Sequence, residues 1–314
     1  MQKSGYNPTG GVVGSKRGKA TVVKLRRYPG NPILRANPRH GWEERAVFNA
    51  AAVRKNGSIC LVYRAVNQDY VSSLGLAVSR DGVRFHRLAG PVYVGRDPSE
   101  SRGVEDPRIT FLEGKYRMLY TAYDGQHPRV AMAESPDLLR WRRVGIVLPH
   151  LHNKDSAIFP ERIGGRYCMI HRDLPNMWLA WSDDLRCWGD FEVLATPRPG
   201  SWEEEKIGLS GPPVRIPEGW LVVYHGVDRH KVYRQGLMLL DPEDPRRVLR
   251  RSPEPIFEPQ TDYELHGDVP NVVFSCGHVI LGDTFMFYYA GADTVICLAT
   301  CPVAELRAWA RGRR

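Results

Sequence analysis

Eight side chains stand where chemistry could be shared: Asn49, Arg64, Asp106, Lys154, Arg172, Lys206, His225 and Asp293. Each lies just before or just after an apolar run of the strand type. A few carboxylates among several cations and amides suit a neutral polyol gripped by its hydroxyls, together with an anion. Arg and Lys clusters are the usual binders of phosphate. Asp106 sits in Val104-Glu105-Asp106-Pro107-Arg108, where the proline stiffens the chain. A carboxyl at a cavity mouth is a candidate general acid. Singly, each residue has a plainer reading. Asp106 could cap a turn, Arg172 could pair with Asp173, and Lys206 could be solvated beside Glu203–Glu205. Together they point to a site, because they stand at equivalent places in one repeated pattern.

That pattern is a hairpin. An apolar run, a Gly-bearing turn and an aromatic run follow one another five times, with turn glycines at Gly57, Gly114, Gly165, Gly219 and Gly282, spaced 51 to 63 residues apart. A third strand-like run follows each hairpin, beginning near Leu74, Val130, Trp178, Gly236 and Val295. Three of these runs lead into Ser-x-Asp with an aromatic four positions after the Asp: Ser79-Arg80-Asp81 with Phe85, Ser135-Pro136-Asp137 with Trp141, and Ser182-Asp183-Asp184 with Trp188. This reads as a turn with an aromatic plug between sheets. Five such units predict an all-β fold, a five-bladed β-propeller, with an irregular N-terminal arm. Helix is expected only in a short C-terminal tail, Ala304–Arg311, and a turn near the N-terminus. A hairpin returns to where it began, so the eight polar residues are expected at one mouth of the channel.

The 314 residues are 42% hydrophobic and 25% charged, ordinary globular composition that excludes a mostly disordered chain. Apolar runs such as Trp220–Tyr224 are too short to cross a membrane, and no secretory signal precedes them. The formal net charge is +9, and nine Lys or Arg precede the first acidic residue, Glu43. The remainder is balanced, 35 basic against 35 acidic residues. The chain therefore divides into a basic Gly-rich arm, residues 1–27, and a single catalytic domain, 28–314. Six cysteines show no zinc-type spacing, which with no signal points to a reduced, cytoplasmic protein. The arm and the Leu306–Trp309 tail are the contacts a homo-oligomer would use.

The motifs Val104-Glu105-Asp106-Pro107-Arg108, Asn153-Lys154-Asp155, His171-Arg172, Lys206-Ile207-Gly208, Tyr224-His225-Gly226-Val227-Asp228, Tyr233-Arg234-Gln235-Gly236, Val269-Pro270-Asn271-Val272-Val273-Phe274 and Gly291-Ala292-Asp293-Thr294 together resemble glycoside hydrolase family 130, from about Asn31 to Ala299. The resemblance implies a five-bladed propeller and an inverting phosphorylase that converts terminal β-mannosides and inorganic phosphate to α-mannose 1-phosphate. It implies Asp106 as general acid, its proton relayed through the mannose 3-hydroxyl. Asn49, Arg64 and Asp293 would hold the mannosyl ring. Lys154, Arg172, Lys206, His225 and Tyr233 would seat phosphate. No metal or organic cofactor is implied; phosphate is a co-substrate.

Two other readings use the same residues differently. An inverting β-mannosidase on this fold would need a carboxylate base, for which Glu203, Glu204 and Glu205 are the candidates. A non-catalytic propeller would bind glycan at the mouth or nucleic acid through the arm. The neutral body argues against nucleic acid, and the acid at the mouth argues against a pure lectin.

Overall fold

The structure, a computed structural model, describes residues 22–149 and 152–312. Residues 1–21, most of the basic arm, lie outside the described part. The short strand β1 (Arg26–Arg27) comes first. Five antiparallel units follow. The first holds β2 (Ala46–Lys55), β3 (Ser58–Val66), β4 (Ser72–Ser79) and β5 (His86–Arg87); the second holds β6 (Gly103–Leu112), β7 (Lys115–Tyr123), β8 (Arg129–Ser135) and β9 (Arg142–Leu148). The third holds β10 (Lys154–Ile158), β11 (Tyr167–Asp173), β12 (Asn176–Ser182) and β13 (Gly189–Ala195). The fourth holds β14 (Lys206–Leu209), β15 (Val214–Ile216), β16 (Gly219–Val227), β17 (Tyr233–Leu240) and β18 (Val248–Arg251). The fifth holds β19 (Val273–Leu281), β20 (Thr284–Gly291) and β21 (Val295–Pro302), and its outer strand is β1, paired through Arg26 with Thr300 and Arg27 with Ala299. One parallel pair, Ser72 with Gly103, links the first two units, and among the described residues no sheet closes on itself.

The hairpins form where the turn residues predict them. Asn56-Gly57 and Glu113-Gly114 both place two successive residues at positive φ (48° and 76°; 50° and 76°), the backbone of a tight hairpin turn whose twist matches the strands. The Ser-x-Asp turns repeat almost atom for atom. Ser79, Ser135 and Ser182 each accept through Oγ from the backbone N–H three residues on, at 2.8, 2.8 and 2.9 Å. Asp81, Asp137 and Asp184 each accept two backbone N–H groups. Phe85, Trp141 and Trp188 then plug the apolar clusters between units.

Those clusters hold the molecule together. One lies between units one and two, one between two and three, one between three and four, and one between four and five. A fifth joins unit five back to unit one, with Tyr288 and Ile296 against Leu61 and Tyr63. The first strands face one another: β2 lies against β6 and β19, β6 against β10, and β10 against β14.

The structure departs from the sequence reading at both ends. Val23 and Leu25, placed with the arm, are buried in the cluster between units four and five. Arg27 donates to both oxygens of Glu264, at 2.8 and 2.7 Å, so this end of the arm is structural. The C-terminal helix, α2 (Val303–Arg311), appears as expected. Its Leu306 and Trp309 are only 1% and 2% exposed, so they pack within the chain and offer no partner an apolar face. Two other helical turns were not anticipated: Pro98–Glu100, and α1 (Asp262–Leu265), at whose start Glu264 Oε2 accepts from Thr261 N at 3.1 Å. All six cysteines are unpaired, five of them buried. Among the described residues no helix is long and apolar enough to cross a membrane.

Candidate active site

Three first strands carry the same defect. Register slips between Phe48 and Ala51 in β2, between Glu105 and Arg108 in β6, and between Lys154 and Ala157 in β10. Within each bulge stands one residue at positive φ: Asn49 (47°), Asp106 (52°) and Asp155 (53°). A bulge bends its strand and re-aims a side chain, and Asn and Asp tolerate this left-handed backbone better than other non-glycine residues. Asp293, at φ 50°, supplies the matching polar group from the turn between β20 and β21.

These side chains line a cavity of about 240 Å³ to which all five units contribute. Of the nine residues proposed from sequence, eight are in its wall: Asn49, Arg64, Asp106, Lys154, Arg172, Lys206, Tyr233 and Asp293. His225 is not. It is fully buried behind the wall, stacked on Tyr233 with ring centroids 5.8 Å apart.

On one side of the cavity, Asp106 Oδ1 accepts from Asn49 Nδ2 at 2.8 Å and from Arg64 Nη1 at 3.2 Å. Arg64 also donates to Glu105 at 2.8 Å and to Ser72 at 2.9 Å. Lys154 Nζ donates to the other Glu105 oxygen at 3.2 Å. Burial pushes the Asp106 carboxyl up, but the charges of Arg64, Lys154 and Arg108, with the Asn49 hydrogen bond, outweigh it and hold it below the ordinary value. Asp293 goes the other way. Burial, reinforced by the Asp106 carboxylate, raises it to about 7 against the pull of Arg64. Its buried Oδ1 has no hydrogen-bond partner. Two carboxyls in one cavity thus have opposite protonation preferences, the arrangement expected where one proton is to be moved.

On the other side, Arg172 Nη1 lies 2.7 Å from Asp155 Oδ2. Burial raises the Asp155 carboxyl, and the Arg172 and Arg108 charges pull it far below its usual range. The Lys206 ammonium sits 5.1 Å from the centroid of the Tyr233 ring. Burial and the neighbouring Arg172 lower it to about 8. Burial takes His225 down to about 3, so its ring is neutral. Asp155 is shared by Arg172 and Arg108, and Lys206 is in none of the ion pairs among the described residues, so this half of the cavity keeps an excess of positive charge suited to an anion.

Sequence reasoning quoted three further residues without giving them a place in the site. Asp155 orients Arg172, Glu105 bridges Arg64 and Lys154, and Arg108 ties the halves together. The Arg108 guanidinium, almost fully buried, donates to Ser210 O at 2.6 Å, Leu209 O at 2.8 Å, Asp106 O at 3.1 Å and Asp155 Oδ1 at 3.2 Å. Asp155 could have been found, because it occupies the repeat position of Asn49 and Asp106. Glu203, Glu204 and Glu205 do not line the cavity. Glu203 is fully buried and bound by Arg198 and Arg251.

Residues 24–311 match a family model, glycoside hydrolase family 130, described as beta-1,4-mannooligosaccharide phosphorylase. The chain is 43% identical over 296 residues to the 1,2-beta-oligomannan phosphorylase of Thermoanaerobacter sp., covering 91% of this chain and 100% of that one. It is 35% identical over 246 residues to the beta-1,2-mannobiose phosphorylase of Listeria innocua, covering 76% and 69% of the two chains. The solved structure of a beta-1,2-mannobiose phosphorylase from Listeria innocua, in complex with beta-1,2-mannobiose, superposes with a TM-score of 0.84 at 28% identity, over 91% of this chain and 98% of that one.

Proposed function

The chain belongs to glycoside hydrolase family 130, and on that premise we propose that it is an inverting phosphorylase of terminal β-mannosides, using inorganic phosphate to release α-mannose 1-phosphate. The relatives' names support β-1,2 linkages as the substrate class. The five units, each packed on the next and the fifth on the first, support the reading of a five-bladed propeller with one catalytic domain and the site at one mouth. We place the enzyme in the cytoplasm, with no organic cofactor.

The observation that carries the phosphorylase reading is the cavity's division into halves. Asn49, Arg64 and Asp293 hold the mannosyl ring beside Asp106. Arg172, Lys206 and Tyr233 seat phosphate, Lys154 stands between, and His225 backs Tyr233 from behind the wall. An inverting hydrolase needs a carboxylate base on the side where water attacks. Asp155 is locked to Arg172 and Arg108, and Glu203–Glu205 do not line the cavity. Phosphate needs no base; it needs to be held and aligned. Asp106 acts as general acid toward the glycosidic oxygen, its proton relayed through the mannose 3-hydroxyl. Before phosphate binds, its carboxyl is held in the ionised form by the surrounding cations. Phosphate neutralises Lys154 and its neighbours, and the sugar ring displaces water; both changes raise Asp106 toward the protonated form.

Substrate consumption measured over a panel of β-1,2- and β-1,4-linked mannobiosides, with and without phosphate, tests this. Turnover that requires phosphate and favours β-1,2 linkages is expected. Equal turnover without phosphate would overturn the phosphorylase reading.

A further inference from the structure

An inverting displacement brings the nucleophile in opposite the leaving oxygen. The phosphate-holding side chains come from units three and four, across the cavity from unit one. The leaving sugar therefore points toward unit one and out through the mouth there. This mouth has a built rim. The turn after β3 is held by Asn67, which accepts from Tyr70 N through its carbonyl at 3.1 Å and from Val71 N through Oδ1 at 2.9 Å. The turn fixes Tyr70 at φ 57°, an unfavourable backbone for a bulky residue, with 49% of its surface exposed. The Arg45 guanidinium lies 3.9 Å from the centroid of the Tyr70 ring and donates to the Tyr70 hydroxyl. Arg45 Nη2 and the Tyr70 hydroxyl each lie 3.3 Å from Asp268 Oδ1. Asp268 precedes Val269, which lines the cavity and donates through its N–H to Ala292 O, next to Asp293. The rim thus joins directly onto the sugar-holding half, with the Tyr70 ring half exposed and one face covered by the Arg45 guanidinium.

We propose that the Arg45–Tyr70–Asp268 rim is the subsite for the leaving sugar, with the face of the Tyr70 ring opposite Arg45 as a platform for the pyranose C–H face and Arg45 and Asp268 as hydroxyl partners. Tyr70 is half exposed in a left-handed turn, with the Arg45 guanidinium on one face of its ring; a neutral polyol is the ligand this chemistry fits. The inference rests on the phosphorylase reading, and the reaction run backwards separates the two. In the synthetic direction, with α-mannose 1-phosphate as donor and mannose as acceptor, Tyr70→Ala should raise the acceptor KM by about tenfold and leave the donor KM unchanged. Tyr70→Phe, which keeps the platform, should stay near wild type, and Arg45→Ala should raise the acceptor KM in the same sense. An unchanged acceptor KM in Tyr70→Ala, or an equal rise in both KM values, overturns the rim. No synthesis by the wild-type enzyme overturns the phosphorylase reading itself, and the rim with it. Thermal melts of each variant confirm that the fold is retained, as expected for an exposed side chain.

Discussion

Asp106 and Asp293 line one cavity whose cations favour ionisation of the first, while Oδ1 of the second has no hydrogen-bond partner among the described residues. The assignment of Asp106 as general acid predicts that Asp106→Asn keeps its fold and its affinity for mannoside but loses about 10²–10⁴-fold in kcat. Near-normal turnover would sink it. Lys206 should report on phosphate alone. Lys206→Ala removes one charged contact, of about 1.5–3 kcal/mol, so KM for phosphate should rise roughly 10- to 100-fold with little change for the mannoside. A parallel change in both would contradict its place in the phosphate half. Asp293 carries a prediction about stability. Its folded value is raised from the ordinary 3.8 to about 7, so between these limits the folded protein binds the extra proton. Stability is gained below pH 4 and lost as pH rises through 7. Asp293→Asn, neutral at every pH, should therefore melt increasingly above wild type as unliganded samples are taken from pH 5 to pH 8. A constant difference across that range would show that Asp293 is not raised. None of these preferences is legible in the chain, because each depends on which cations surround a carboxyl in space.

The strands explain why eight of the nine residues singled out in the chain line the cavity, while the geometry that aims them was not legible. Polar residues stand at or near the start of the first strands, as Asn49, Asp106, Lys154 and Lys206 do, and that is visible as spacing. The bulge that turns Asn49, Asp106 and Asp155 into the cavity is a slip in register, which leaves no periodic mark. His225 follows the same spacing as Arg64 and Arg172, but β16 buries it completely. The arm was misjudged for a related reason. Val23 and Leu25 alternate with Val22, Lys24 and Arg26, a strand pattern masked by a basic segment too short to stand out. Each of these two buried side chains stabilises by about 1.5–3 kcal/mol, and β1 supplies the outer strand of the fifth unit. Deletion of residues 1–27 should thus lower Tm by roughly 10 °C, at about 2–4 °C per kcal/mol for a chain of this size. An unchanged Tm would mean that β1 is dispensable; a nucleic-acid role for the arm predicts no such loss.

At the scale of the molecule, five similar units make a site that none could form alone. The half proposed for sugar draws on units one, two and five, the half proposed for phosphate on three and four, and Arg108 spans the junction through backbone carbonyls of unit four and the carboxylate of Asp155. The number of units was readable from turn glycines and aromatic strands, since each unit repeats a local signal. The linking of units was not, because Tyr288 against Tyr63 or Arg45 against Asp268 joins residues more than two hundred positions apart. Whether the cavity divides into a sugar half and a phosphate half is decided by the products. Proton and phosphorus NMR should follow β-1,2-mannobiose incubated with enzyme and inorganic phosphate. One α-mannose 1-phosphate should appear for each mannose released, and nothing should react when phosphate is omitted. Two mannose molecules per disaccharide, formed at the same rate without phosphate, would mean that the cationic half seats no nucleophile and would contradict the account.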